Sequence, residues 1–149
     1  MSNRAASRPP TLYILSAPSG GGKSSLARAL ADRSENIVTS VSHTTRPQRP
    51  GETDGVDYFF VDLAQFEQMV KDKGFLEHAR VFDHCYGTSR HAVEQAIKSS
   101  QSVLLDIDWQ GAQQVRATFK EAVSVLSLIH ISEPTRRTPI SYAVFCLKK

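Results

Sequence analysis

Gly20, Gly21 and Gly22 are followed directly by Lys23, Ser24 and Ser25, at the point where an apolar segment gives way to a helical one. That composition suits the holding of phosphate. Backbone N–H groups free of side-chain bulk converge on anionic oxygens, and the positive end of the following helix adds to the attraction. Lys23 is placed to reach β- and γ-phosphates, and Ser24 offers its hydroxyl to the Mg²⁺ that accompanies a nucleoside triphosphate. The pattern G-x-x-x-x-G-K-[ST] is met at Gly22, Lys23 and Ser24, with Ala17 at its first glycine position. The triphosphate-binding segment is therefore read as Ala17, Pro18 and Ser19, the three glycines, and Lys23 to Ser25. The alternative, a glycine turn with an exposed lysine, is opposed by the strand before the loop and the helix after it.

Two further groupings carry chemistry. Arg46 and Arg49, separated by Pro-Gln and followed by Pro50-Gly51, lie in a segment too rich in turn residues to be helical. Two guanidinium groups held close by proline suit a phosphate monoester, since each donates two parallel hydrogen bonds; on spacing alone they are equally readable as solvated surface arginines. "SVLLDID", Ser102 to Asp108, is an apolar run ending in carboxylates, as in a central parallel strand that delivers Asp to the carboxyl edge of a sheet. Asp106 is the candidate magnesium acid, acting with Ser24 or through water, and Asp108 points the same way two residues on. Either acid alternatively caps the following helix, predicted over 111–119.

The elements that must position these groups are legible as patterns. "TLYIL", Thr11 to Leu15, reads as a buried strand, and Leu26, Ala27, Leu30 and Ala31 recur at helical spacing after the loop. Ile37 to Ser42 alternates apolar and small polar residues and predicts a strand ending near the loop. Leu63, Phe66, Met69 and Val70 mark the core face of a helix, with Asp62 as N-cap, Gln65 in the first turn and Gly74 as its stop. A further helix over 90–99 carries Val93, Ala96 and Ile97 on one face.

The 149 residues suit one α/β domain with a modest core, 40% of them being hydrophobic. The net charge of +3 is spread along the chain, so nucleic acid is not implied; an anionic small substrate suits the basic balance as well. No apolar run is long enough to span a bilayer, and the first ten residues lack the apolar core of a secretory signal, so a cytoplasmic location is expected. Cys85 and Cys146 have neither CxxC nor Cys/His zinc spacing and are read as reduced thiols.

The segments "SAPSGGGKSS", "SVSHTTRPQRPGETDGVDYFF", "GFLEHARVFDHCYGTS" and "VLLDIDWQGAQQVR" occur in the order found in guanylate kinases, which the chain resembles from about Thr11 to about Val125. The resemblance implies a P-loop NTPase-type parallel sheet with an inserted small α+β subdomain, about residues 43–89, that binds GMP. It implies transfer of the ATP γ-phosphoryl group to GMP, with Mg²⁺ brought by ATP and with Lys23, Arg46 and Arg49 as the catalytic set. Arg46, Arg49, Tyr58 and Tyr86 match ligands of the GMP phosphate. Glu77 and Asp108 match readers of guanine, whose N1–H and 2-amino group lie on one edge, and Ser42 and Thr88 match hydroxyl donors to O6 or N7. Without the resemblance Glu77 reads sooner as a surface carboxylate at a strand start, and the two tyrosines as half-buried aromatics packing a small sheet. Rival readings are a related scaffold domain that binds a phosphopeptide without catalysis, opposed by the intact Gly22-Lys23-Ser24, and a kinase with a ribose-phosphate acceptor, opposed by two base-reading carboxylates.

Residues 1–10 are expected to be disordered. From Leu126 to Lys149 the chain, "LSLIHISEPTRRTPISYAVFCLKK", resembles no part of that family; it is similar to the translation of a sequencing-library adaptor and is expected to be a non-native tail. The C-terminal lid and closing helices of the family are then absent, and Arg136 and Arg137 inherit no role. GMP binding is expected to persist and rapid turnover to be lost, because loss of a transition-state arginine costs about 10³ to 10⁵ in rate. Oligomeric state is not legible.

Overall fold

The computed structural model describes residues 9–16, 22–128 and 143–147. The first half of the chain forms β1 (Leu12–Ser16), α1 (Lys23–Asp32), β2 (Ile37–Thr39), β3 (His43–Thr44), β4 (Phe59–Phe60) and α2 (Leu63–Lys71). It continues through β5 (Phe75–Val81), β6 (His84–Ser89), α3 (Arg90–Lys98), β7 (Ser102–Asp106), α4 (Trp109–Thr118), β8 (Val123–Leu128) and β9 (Ala143–Leu147). The fold is α/β. A five-stranded sheet runs in the order β2-β7-β1-β8-β9, parallel up to β8 and antiparallel at the β8–β9 edge. A second, four-stranded sheet of order β4-β3-β6-β5 is inserted between β2 and β7.

The larger sheet is covered on both faces, which is why its central strands read as nearly continuous apolar runs. Leu12, Ile14, Val103, Leu105 and Ile107 pack on one face against Val93 of α3 and Val115 of α4. Leu15 and Leu104 pack on the other, against Ala27 of α1. Full burial of a side chain such as Leu105 contributes about 1.5–3 kcal/mol. The register Leu15↔Asp106 brings Asp106 to the carboxyl edge of the sheet beside the end of β1.

Several sequence expectations are corrected. The predicted strand over 37–42 ends at Thr39, because the chain leaves the larger sheet there and pairs His43 and Thr44 with Gly87 and Tyr86 of the smaller one. The predicted face of α1 is split: Ala27 is buried while Leu26 and Leu30 are nearly half exposed, so the small residues approach the sheet. On α2, Phe66 is buried but Leu63 is 52% exposed. Its start is as expected, with Asp62 and Gln65 forming a reciprocal capping box. Its stop is not Gly74 itself. Lys73 takes the left-handed conformation (φ 54°), and Gly74 N–H bonds back to the Met69 carbonyl at 2.9 Å, a Schellman-type end. Helix α4 begins at Trp109, two residues earlier than predicted, with Asp108 as its N-cap.

Candidate functional site

The carboxyl edge of the larger sheet and the inner side of the inserted sheet enclose one cavity of about 1170 Å³. Its walls include Lys23, Ser24, Arg46, Glu77, Asp106 and Asp108, with Ser25, Ser42, Arg49, Tyr58 and Tyr86 beside them. Residues that the sequence separates by up to 85 positions are thus gathered at one opening. Ala17, Pro18, Ser19, Gly20 and Gly21 lie outside the described residues.

On the sheet-edge wall, Gly22 has φ +69° with open space where a side chain would stand, so its backbone conformation is what requires glycine. It begins α1 without a side-chain cap, and the first turn of the helix lines the cavity. Ser24 Oγ donates to Asp106 Oδ2 at 2.6 Å, joining the start of α1 to the end of β7. Asp106 Oδ1 is buried and has no hydrogen-bond partner among the described residues. A serine hydroxyl and a carboxylate with a spare oxygen are the hard oxygen donors that Mg²⁺ takes when phosphate oxygens fill its remaining positions. Among the described residues no cluster of three His, Cys, Asp or Glu stands ready to hold a metal unaided.

The opposite wall is more heavily bonded. Arg46 is 8% exposed. It donates to the Pro47 carbonyl and to Glu52 Oε1, both at 2.7 Å, and its guanidinium lies over the rings of Tyr58 and Phe60 at 5.4 and 5.7 Å. The hydrogen bond to Glu52 raises the Arg46 pKa further above its usual value and lowers that of Glu52. Glu52 also accepts from the Arg49 N–H at 2.8 Å, so one carboxylate ties both arginine positions. Tyr58 and Tyr86 meet edge to face at 6.1 Å. Burial raises the Tyr58 pKa, keeping its hydroxyl a donor at neutral pH.

Deeper in the same wall, Glu77 is 5% exposed. Its pKa is pushed up to about 7, first by burial and then by the nearby charge of Asp108, against the lowering effect of a hydrogen bond from Thr88. Thr88 was expected as a donor to the base. Its hydroxyl instead donates to Glu77 Oε1 at 2.6 Å, with Ser42 Oγ 3.5 Å away, and Thr88 stands behind the cavity rather than on its surface. Asp108 does what the capping alternative foresaw: Oδ1 accepts from Gly111 N–H at 2.8 Å. It nevertheless lines the cavity.

Four residues at or near this site carry no role in the sequence reading. Glu52, within the R-x-x-R-x-G-E string, could have been found as the acid spaced to pair with Arg46. Arg28 of α1 forms an ion pair with Asp57 across the cavity, and Asp57 also accepts from Thr53 N–H at 2.8 Å. Gly111 lies against Glu77 and gave no local signal.

The sequence model of the family described as Guanylate kinase matches residues 9–138. The guanylate kinase of Chromohalobacter salexigens is 59% identical over 118 residues, covering 79% of this chain and 55% of that protein. The guanylate kinase of Alkalilimnicola ehrlichii is 54% identical over 129 residues, covering 87% of this chain and 64% of that one. The crystal structure of guanylate kinase from Anaplasma phagocytophilum superposes with a TM-score of 0.68 at 37% identity, over 80% of this chain and 60% of the other. The chain thus spans little more than half the length of the curated relatives it matches.

Proposed function

The chain belongs to the guanylate kinase family, and from that premise we propose that it serves transfer of the γ-phosphoryl group of ATP to the phosphate of GMP, giving ADP and GDP. The observation that carries this reading is the single cavity onto which both the Ser24–Asp106 pair and the Arg46–Glu77–Asp108 wall open. One phosphate-holding helix start faces a second, separately built anion site. That is the arrangement a transfer between two phosphates needs.

In this reading Lys23 and the amides at the start of α1 orient the donor phosphates. Arg46 and Arg49, with the hydroxyls of Tyr58 and Tyr86, hold the acceptor phosphate in line with it. The buried carboxylates Glu77 and Asp108 accept the N1–H and 2-amino hydrogens of guanine; adenine lacks that pair of donors and leaves them unsatisfied, which discriminates strongly. Ser24 and Asp106 would hold Mg²⁺, which when bound neutralises charge on the phosphate oxygens. Phosphoryl transfer asks little of the protein beyond such positioning and charge stabilisation. A location in the cytoplasm belongs to the same proposal; no helix of the described residues is long and apolar enough to cross a membrane.

The reading is tested by incubating the full chain with Mg·ATP and each mononucleotide, and following ADP and GDP together by chromatography. GDP formed slowly and in equal amount with ADP, from GMP and not from AMP, is the expected outcome. ADP released without GDP, or equal reaction of GMP and AMP, contradicts it.

A further inference from the structure

Glu77 and Asp108 reach the cavity from different elements, β5 and the start of α4, and they meet at Gly111. The backbone N–H of Gly111 donates to Asp108 Oδ1 at 2.8 Å. A Cβ at Gly111 would stand 2.4 Å from Glu77 Oε2, 3.0 Å from Glu77 Cδ and 3.4 Å from Asp108 Oδ1. The first of these is closer than any real contact. Gly111 is helical, at the third position of α4, and has no positive φ, so its backbone does not require glycine. What requires it is the carboxylate lying against its Cα.

We propose that Gly111 is a specificity-determining residue: by lacking a side chain it lets Glu77 and Asp108 share one recognition edge, spaced for the adjacent N1–H and 2-amino groups of guanine. The inference rests on the acceptor reading above and adds to it a residue that touches no ligand. Thr88 donates to Oε1 of Glu77 and so orients the carboxylate, with Oε2 seated at Gly111. Any group built on Gly111 displaces that oxygen. The displaced atom is the far end of a flexible side chain, so the fold adjusts cheaply while the recognition geometry is lost. Alanine is also the better helix former at this position, which separates the two roles: a purely structural glycine would show its loss in stability, whereas Gly111→Ala is expected to leave the thermal midpoint unchanged or raised.

The test is a double-mutant cycle on the full chain, with GMP and IMP titrated calorimetrically into the parent, Gly111→Ala, Glu77→Ala and the double variant. IMP keeps N1–H and lacks the 2-amino group. Gly111→Ala is expected to weaken GMP at least tenfold, to bring the GMP:IMP preference close to one, and to leave Mg·ATP affinity unchanged. In the Glu77→Ala background the same substitution is expected to change GMP affinity less than twofold, since the residue it acts through is gone. Parent-like GMP binding by Gly111→Ala, or an equal loss in both backgrounds, overturns the inference. Parent-like binding by Glu77→Ala overturns instead the assignment of Glu77 to guanine. If Gly111→Ala does not fold, a folded double variant still traces the effect to Glu77, and a double variant that also fails to fold overturns it.

Discussion

The two walls of the cavity are built on opposite plans. Ser24 is exposed, the helix it belongs to has no side-chain cap, and one oxygen of Asp106 has no hydrogen-bond partner among the described residues. Across from them Arg46, Glu77 and Thr88 are all buried and already bonded, to Glu52, to Pro47 and to one another. One wall keeps a carboxylate oxygen that no described residue satisfies, while the other is bonded in advance. The difference matches the two partners proposed. In the proposed reading a triphosphate with its metal is held by charge at a helix start, whereas a base must be told from its near relatives, and that takes carboxylates oriented by their neighbours.

The largest expected effect separates the walls. Lys23→Ala is predicted to lower single-turnover GDP formation about 10³-fold, in the range of other lost charges on a transferring phosphoryl group. GMP affinity, measured by calorimetry without ATP, should stay within twofold of the parent. A comparable loss of GMP affinity would show that the two walls are not independent.

The next prediction concerns what a preformed wall costs. The Glu77 carboxyl has a pKa of about 7 in the fold, above its ordinary 4.5. The folded chain therefore holds that proton more tightly than the unfolded chain does. This contribution to stability is complete below pH 4.5 and is lost as the pH rises through 7. At pH 8 the penalty is at most on the order of 3 kcal/mol. Glu77→Gln is predicted to raise the thermal midpoint at pH 8 by several degrees, to leave it nearly unchanged at pH 5, and to weaken GMP about tenfold at pH 8. A midpoint shift that is the same at both pH values would remove Glu77 as its origin.

The smallest effect lies outside both walls. Asp62→Ala removes one side of the capping box on α2 and is predicted to cost about 1 kcal/mol of stability, read as a small fall in thermal midpoint. Both nucleotide affinities should be unaffected. Weaker GMP binding would extend the recognition wall through α2.

The same contrast explains which parts of the molecule could be read from sequence. The donor wall is local: strand, glycine loop and helix follow one another within about 20 residues, and Asp106 ends an apolar run whose composition announces a buried parallel strand. The capping box of Asp62 and Gln65 is local too. The recognition wall is not. Ser40 to Ser42 look like the end of a strand begun at Ile37, but the strand ends at Thr39, and His43 and Thr44 pair with Gly87 and Tyr86, some 40 residues on, in another sheet. Thr88 carried a hydroxyl of the right kind, but its proton goes to Glu77, a choice that rests on burial which no spacing reveals. Gly74 seemed the natural helix stop, yet the left-handed residue is Lys73, its strain relieved by the bond that Gly74 makes back to Met69.

The central claim is that the buried wall is an acceptor site for a guanine mononucleotide. Its most direct test is calorimetric titration of GMP, with AMP as control, into the full chain and into Arg46→Ala, each first verified as folded by circular dichroism. One GMP site per chain, no detectable AMP binding, and an affinity about 100-fold weaker in Arg46→Ala are the predicted results, the last reflecting the lost charged hydrogen bonds to phosphate. A folded chain that binds GMP and AMP alike, or binds GMP equally well without Arg46, would contradict the account.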